Sequence, residues 1–179
     1  MNFIIPRSFY NIYSTYEQGL QVIKYFKFMF GKDTSKYIIT DATAGIGGNS
    51  RLFCKYFGFV NSIEVNKYNC NILKENLKNY NNKSILNTNY VEIFTNLKQD
   101  IVFLDPPWGT DYKSKNNIKL YLNEYDVNYI VSTLYWYSSL VILKAPCNYF
   151  ITKSNKWKIK TFPIYNNKKI IYNIIFYYR

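Results

Sequence analysis

The stretch DATAGIGG, from Asp41 to Gly48, decides the fold expected for this chain. It follows the short apolar run YII at 37–39 and precedes a segment of helical length. Three of the seven glycines lie in it, and glycine at a strand-to-helix turn allows a close approach to a ligand that a side chain would prevent. We therefore expect a small cofactor here, with Gly45 and Gly47 leaving space that a β-carbon would fill. A tight turn with a purely structural role is the alternative.

Short apolar runs separated by helix-like stretches extend outward from this turn, as is typical of parallel strands covered on both faces. The runs are YIITDA at 37–42, FVNSIEV at 59–65, SILNTN at 84–89, QDIVFLD at 99–105 and LVILKAP at 140–146, with helices expected at 16–30, 49–57 and 67–80. Near the end, Lys158 to Tyr165 and Lys169 to Tyr178, joined by Asn166-Asn167, predict an antiparallel hairpin. The expected fold class is α/β: a single Rossmann-like domain at 37–179 with a mostly parallel sheet, after an N-terminal extension at 1–36.

The composition restricts the chemistry. Lys and Arg number 23 against 11 Asp and Glu, a formal net charge of +12, so a polyanionic partner is expected. The absence of histidine excludes Ser-His-Asp and Cys-His catalysis and His-ligated zinc. Three cysteines without a CxxC pair predict neither a disulfide framework nor a metal site. No signal peptide and no stretch of about 20 apolar residues is recognisable, so we expect an intracellular protein, nuclear or cytoplasmic, without membrane contact.

Two further motifs carry chemistry. The second apolar run ends in Glu64, at the spacing where a carboxylate accepts ribose hydroxyls in nucleotide-binding βαβ units. The fourth run ends in DPPWG, Asp105 to Gly109, where consecutive prolines fix the backbone and offer no N–H donor. The Asp105 carboxylate and a backbone carbonyl can then accept hydrogen bonds from one planar amino group, with the Trp108 ring beside it. This arrangement indicates an exocyclic amine on a flat base.

These motifs carry a resemblance to a known family. DATAGIGGNS, IEV and DPPWG together resemble class I S-adenosylmethionine-dependent methyltransferases, and PPWG followed by Asp111-Tyr112 is similar to the trimethylguanosine synthase family. Those enzymes methylate the exocyclic N2 of the 7-methylguanosine RNA cap. The segment from Ser8 to Leu20 is similar to the aromatic, acidic stretch that precedes the family's catalytic core. The resemblance implies S-adenosyl-L-methionine as cofactor and capped RNA as partner, with no metal.

The resemblance also assigns roles to individual residues. Asn89 stands where the family usually has aspartate, and Cys147 where a basic residue is expected after Pro146, which leaves Lys144 to meet the cap phosphates. At the methionine end of the cofactor the resemblance places Asp41, Ala42, Gly45, Gly47 and Gly48; it places Glu64 at the ribose, and Asn89 and Tyr90 at the adenine. The implied catalytic residues, which hold the guanine, are Asp105, Pro106 and Trp108, and Asp105 is also a cofactor contact. Further implied cap contacts are Asn76 and Lys144.

The implied mechanism is direct in-line transfer of the methyl group to guanine N2, with positioning as the main source of catalysis. Two alternatives stay open. One is methylation of guanine N2 or adenine N6 within ribosomal RNA, transfer RNA or DNA. The other is a catalytically degenerate fold that acts as an RNA-binding or partner subunit.

Overall fold

The computed structural model describes residues 3–10, 14–31, 33–166 and 168–179. It divides into two compact units, Met1–Gln99 and Asp100–Arg179. Each unit is built on strands whose apolar side chains are buried, and each supplies part of the predicted site residues.

Three parallel strands form the sheet of the first unit, in the order β3-β2-β1. Ile38 of β1 lies opposite Phe59 of β2, and Val60 of β2 lies opposite Lys83 of β3. The elements are α1 (Tyr16–Phe30), β1 (Ile38–Asp41), α2 (Gly48–Tyr56), β2 (Phe59–Ile63), α3 (Lys67–Leu77), β3 (Lys83–Leu86) and α4 (Tyr90–Ile93).

Helix α1 begins at a capping box, in which the Thr15 side chain accepts from the Gln18 N–H and the Gln18 side chain accepts from the Thr15 N–H. It buries Val22 and Phe26 and packs against α2. The extension predicted at 1–36 therefore includes a helix that packs within the first unit, and its separation from a domain at 37–179 stays a prediction.

Four strands form the main sheet of the second unit, in the order β4-β7-β9-β8. Strand β4 is parallel to β7, whereas β9 is antiparallel to both β7 and β8. Leu104 of β4 lies opposite Leu143 of β7. The elements are β4 (Ile101–Leu104), β5 (Tyr121–Leu122), β6 (Tyr125–Asp126), α5 (Val127–Leu134), β7 (Leu140–Ala145), β8 (Lys158–Asn166) and β9 (Lys169–Tyr178).

The predicted α/β class, the mostly parallel strands and the C-terminal antiparallel hairpin are confirmed. Of the predicted hairpin turn, Asn167 lies outside the described residues. The third predicted helix ends at Leu77 instead of residue 80, because the Lys78 N–H already bonds to Glu75 O in a tighter turn. The small β5–β6 ladder and α4 carry no periodic signal and were not predicted. Among the described residues, no helix combines the length and apolar character needed to cross a bilayer.

The three cysteines predict a simple labelling pattern. Cys54 and Cys70 are buried and Cys147 is exposed; burial raises the pKa of the Cys54 thiol to about 12 and also raises that of Cys70. Because the thiolate is the nucleophile, an alkylating reagent at neutral pH should modify one cysteine rapidly in the native protein and all three only after unfolding. Mass spectrometry of Cys147→Ser should show no rapid labelling; three equal rates would contradict this packing.

Candidate active site

The glycine turn of the first unit is held by a carboxylate. Gly45 has φ +54° and Gly47 has φ +97°, angles that favour glycine. The Gly45 N–H donates to Glu64 Oε2 over 2.8 Å, and the Gly47 N–H donates to Ala44 O over 2.9 Å. A β-carbon added at Gly45 would have no heavy atom within 4 Å, so this residue borders the open space expected for a ligand.

The other two glycines face protein atoms. A β-carbon at Gly47 would lie 2.8 Å from Leu73 Cδ1 on α3, and one at Gly48 would collide with the backbone oxygen of Ser14. The φ of Gly47 already favours glycine there, and Gly48 allows the segment before α1 to cross the start of α2. The predicted place of both residues at the methionine end of the cofactor stays a prediction.

Glu64 follows β2 and is 9% exposed. Its Oε2 accepts from Gly45 and its Oε1 accepts from the Asn66 N–H over 2.7 Å. A carboxylate oxygen can accept two hydrogen bonds, so the carboxylate that orders the turn keeps acceptor capacity for the two hydroxyls of a ribose.

Asp41 lies beneath the turn. It is 1% exposed, and its Oδ2 accepts from Ser50 Oγ over 2.6 Å; Ser50 Oγ in turn accepts from Ser62 Oγ over 3.0 Å. Ala42 is 4% exposed. Asp41 thus ties the end of β1 to α2 and β2, and the predicted contact of Asp41 and Ala42 with methionine stays a prediction.

The side chains of the two residues expected at adenine form hydrogen bonds within the protein. Asn89 Oδ1 caps α4 by accepting from the Val91 N–H, and its Nδ2 donates to Glu92 Oε1, both over 3.1 Å. Tyr90 is 2% exposed, donates to Gln99 Oε1 over 3.3 Å, and has a pKa raised by burial. The Tyr90 ring is therefore buried in the first unit, and the predicted place of Asn89 and Tyr90 at the adenine stays a prediction.

Asn76 also has partners other than those expected. Its Nδ2 donates to Ile4 O and Ile46 O, and its Oδ1 accepts from the Ile4 N–H over 2.7 Å. Both amide hydrogens are used, so Asn76 joins the N-terminal segment to the glycine turn and has no donor left for a cap.

In the second unit, DPPW leaves the buried strand β4. Pro106 is buried, Trp108 is half-buried and Pro107 is exposed. The Trp108 ring centre lies 5.3 Å from that of Tyr112, edge to face, and 6.3 Å from that of Tyr172. Tyr172 has no sequence motif and was missed, because only strand pairing brings β9 to this place.

Lys144 pairs with Asp105. Its Nζ lies 2.9 Å from Asp105 Oδ2, with 10% and 18% of the two side chains exposed. The ammonium also lies 5.7 Å from the centre of the Trp108 ring and 5.2 Å from that of Tyr172. Lys144 is thus a buried ion-pair partner, and its contact with the cap phosphates stays a prediction. Asp105 and Lys144 each follow one residue after the paired Leu104 and Leu143. Knowledge of this strand register would have predicted their contact from the sequence.

A cavity of about 450 Å³ lies beside Trp108. Its lining includes Tyr112, which belongs to the Asp-Tyr element noted in the sequence, and Lys115, Lys119 and Tyr121, which were not singled out in the sequence. Asp111, also in the lining, pairs with Lys115, which lowers the pKa of that carboxyl.

Comparison with known proteins identifies the family. Residues 36–174 match the family model described as RNA cap guanine-N2 methyltransferase. The chain belongs to the RNA cap guanine-N2 methyltransferase family. The uncharacterized protein L320 of Acanthamoeba polyphaga mimivirus is 39% identical over 141 residues, which cover 72% of this chain and 55% of that protein. The chain thus spans about half the length of this relative.

Solved structures show the same fold. The precorrin-6y C5,15-methyltransferase of Geobacter metallireducens matches with a TM-score of 0.67 at 11% identity, over 99% of this chain and 94% of that one. A Streptococcus mutans protein crystallised with SAH matches with a TM-score of 0.62 at 11% identity, over 87% and 96%.

The cofactor of this methyltransferase-family chain is S-adenosyl-L-methionine. The open space at Gly45 and the acceptor capacity of Glu64 fit its methionine and ribose parts. Gly45 and Glu64 are brought together directly in the first unit, and Asp105, Trp108 and Lys144 in the second.

Gly45→Ala tests this fit. The new methyl group should enter the cofactor's space and reduce S-adenosylmethionine affinity at least about tenfold, a loss of about 1.4 kcal/mol, measured by calorimetry. The matched control is Gly31→Ala, since Gly31 also has a positive φ, +92°, and open surroundings. Backbone strain should cost Gly45→Ala about 1–2 kcal/mol of stability. It should cost Gly31→Ala about 1–3 kcal/mol, because the φ of 92° and ψ of 171° at Gly31 are essentially restricted to glycine. Only Gly45→Ala should lose affinity. Equal affinities would show that the turn is only structural.

Proposed function

We propose that this protein transfers a methyl group from S-adenosyl-L-methionine to the exocyclic N2 of the guanine in a 7-methylguanosine RNA cap, as trimethylguanosine synthases do. The observation that carries the proposal is the Asp105 carboxylate beside the half-buried Trp108 ring at the exit of β4. A carboxylate accepts from an amino group and an indole face stacks on a base. Membership of the RNA cap guanine-N2 methyltransferase family supports the same substrate.

Asp105, Pro106 and Trp108 share the work of positioning. Asp105 accepts a hydrogen bond from the N2 amino group, and the prolines keep competing N–H donors out of the base plane. Trp108 holds the ring by stacking. Gly45 and Glu64 of the first unit would hold the cofactor, which would supply an electrophilic methyl group for N2. Positioning the reacting groups converts a bimolecular reaction into an effectively unimolecular one.

Trp108→Ala should weaken binding of a 7-methylguanosine cap dinucleotide by about 1–3 kcal/mol, the range for base–aromatic stacking. Trp108→Phe should lose less because it keeps a ring. Fluorescence or calorimetric titration measures both losses. Phe150→Ala, which removes an exposed aromatic ring outside this cluster, is the matched control and should bind as the wild type does. Equal losses for the Ala and Phe variants would remove stacking from the proposal.

The basic C-terminal third extends the proposal to the RNA body. Eight cations and no acid follow Asp126. Lys144 is paired internally, and the other seven are exposed: Lys153, Lys156, Lys158, Lys160, Lys168, Lys169 and Arg179. Lys156 also lies 4.8 Å from the centre of the Trp136 ring, which is 68% exposed. Exposed cations beside exposed aromatic rings suit single-stranded RNA.

Salt dependence tests this contact. Affinity for a long capped RNA should fall with salt. The logarithm of the binding constant plotted against the logarithm of the salt concentration should have a slope of about −0.7 per contacted phosphate. A cap dinucleotide should show a much shallower slope. Replacing Lys156, Lys158 and Lys160 with glutamine should weaken binding of the long RNA and spare the dinucleotide. Identical slopes for the two ligands would contradict a role for this surface.

A second candidate is methylation of a neutral base, guanine N2 or adenine N6, in ribosomal RNA, transfer RNA or DNA. The Asp105–Lys144 pair favours it, because the ammonium offsets the charge of Asp105 and so removes most of the attraction for a cationic base. Labelled cofactor incubated with 7-methyl-capped, unmethylated-capped and uncapped RNA separates the two. Label on capped RNA alone supports the proposed function, and equal label on uncapped RNA overturns it.

A further inference from the structure

We propose that Lys144 determines base specificity: its ammonium offsets the charge of Asp105 and so limits how strongly the site prefers a cationic 7-methylated guanine over neutral guanine. This rests on the proposed function, in which Asp105 and Trp108 hold the base.

The first step of the argument is the placement of the pair. Leu104 and Leu143 are opposite each other in parallel strands. The next residues, Asp105 just past the end of β4 and Lys144 still within β7, therefore lie side by side. Their ion pair at 2.9 Å joins side chains that are only 18% and 10% exposed. Water therefore screens these charges poorly, and their effect on a neighbouring ligand is correspondingly large.

The second step is the position of the ammonium relative to the base. Lys144 Nζ contacts the carboxylate proposed to accept from N2 and lies 5.7 Å from the centre of the ring proposed to stack. Any base held by both groups lies within reach of this positive charge. The Tyr172 ring, whose centre lies 5.2 Å from Lys144 Nζ, also contacts this ammonium.

The third step is the charge balance. An unpaired carboxylate would attract a cationic base through its charge, whereas a neutral base would gain almost no such Coulomb attraction. The Asp105–Lys144 pair carries no net charge, so most of that attraction is cancelled. What selectivity for 7-methylguanine remains comes from the cation–π contact with Trp108. Lys144 therefore acts on the ratio of the two affinities, beyond any support it gives to Asp105.

The test is Lys144→Met, which keeps an unbranched side chain one heavy atom shorter and removes the charge. Binding of the 7-methylated and unmethylated cap dinucleotides is measured by calorimetry for each variant. The affinity ratio, methylated over unmethylated, should rise about tenfold (about 1.4 kcal/mol). Lys144→Arg keeps the charge and should keep the wild-type ratio. Lys153→Met, at an exposed lysine, is the matched control and should change neither affinity.

Lys144→Met leaves a buried carboxylate without its partner, which is destabilising and can prevent folding. Asp105→Asn, alone and combined with Lys144→Met, provides a second test that avoids this. Asp105→Asn leaves the ammonium uncompensated and should lower the ratio below that of the wild type. Adding Lys144→Met to Asp105→Asn should raise it again.

The outcomes separate the two proposals. Parallel loss of both affinities with an unchanged ratio would show that Lys144 only supports the structure, and would leave the cap function standing. Failure of the wild type to bind either dinucleotide would overturn the cap function and this inference together.

Discussion

The structure depends on strands that are buried on both faces. Every residue of β4 and of β7 is buried, so a polar side chain is tolerated there only near a strand end and only with a partner. Asp41 ends β1, Glu64 follows β2, and Asp105 follows β4 beside Lys144. Each meets a defined partner: a serine hydroxyl, two backbone N–H groups, or an opposite charge. The charged residues of the candidate site therefore lie at or near strand ends, where each has a partner.

In the first unit the carboxylate proposed to accept from a ribose also shapes the turn proposed to receive the methionine. Glu64 bonds to the backbone N–H groups of Gly45 and Asn66, so the protein itself orients the acceptor atoms. Pre-ordered polar groups reduce the entropy lost on binding. Gly48 and Asn76 add to this order, because both bring the N-terminal segment against the turn.

In the second unit the carboxylate proposed to accept from the base belongs to an ion pair. Family membership suggests a cationic cap guanine, whereas the buried ammonium of Lys144 beside Asp105 and Trp108 reduces the electrostatic advantage of such a base. The two observations are compatible if selection rests on stacking and shape more than on charge. The pair also avoids the large desolvation cost of an isolated buried carboxylate.

Much of the fold and part of the candidate site followed from sequence alone, since apolar runs, glycines and prolines act locally. The run before Asp41 predicted β1, DPPW marked the exit of β4, and Glu64 stood at its expected strand end. Contacts between distant residues depended on packing and register. The partners of Asn76 and Lys144, the burial of Tyr90 and the presence of Tyr172 beside Trp108 arise from tertiary structure, because only the folded chain decides which side chains share a space and whether a charge there meets water or its opposite.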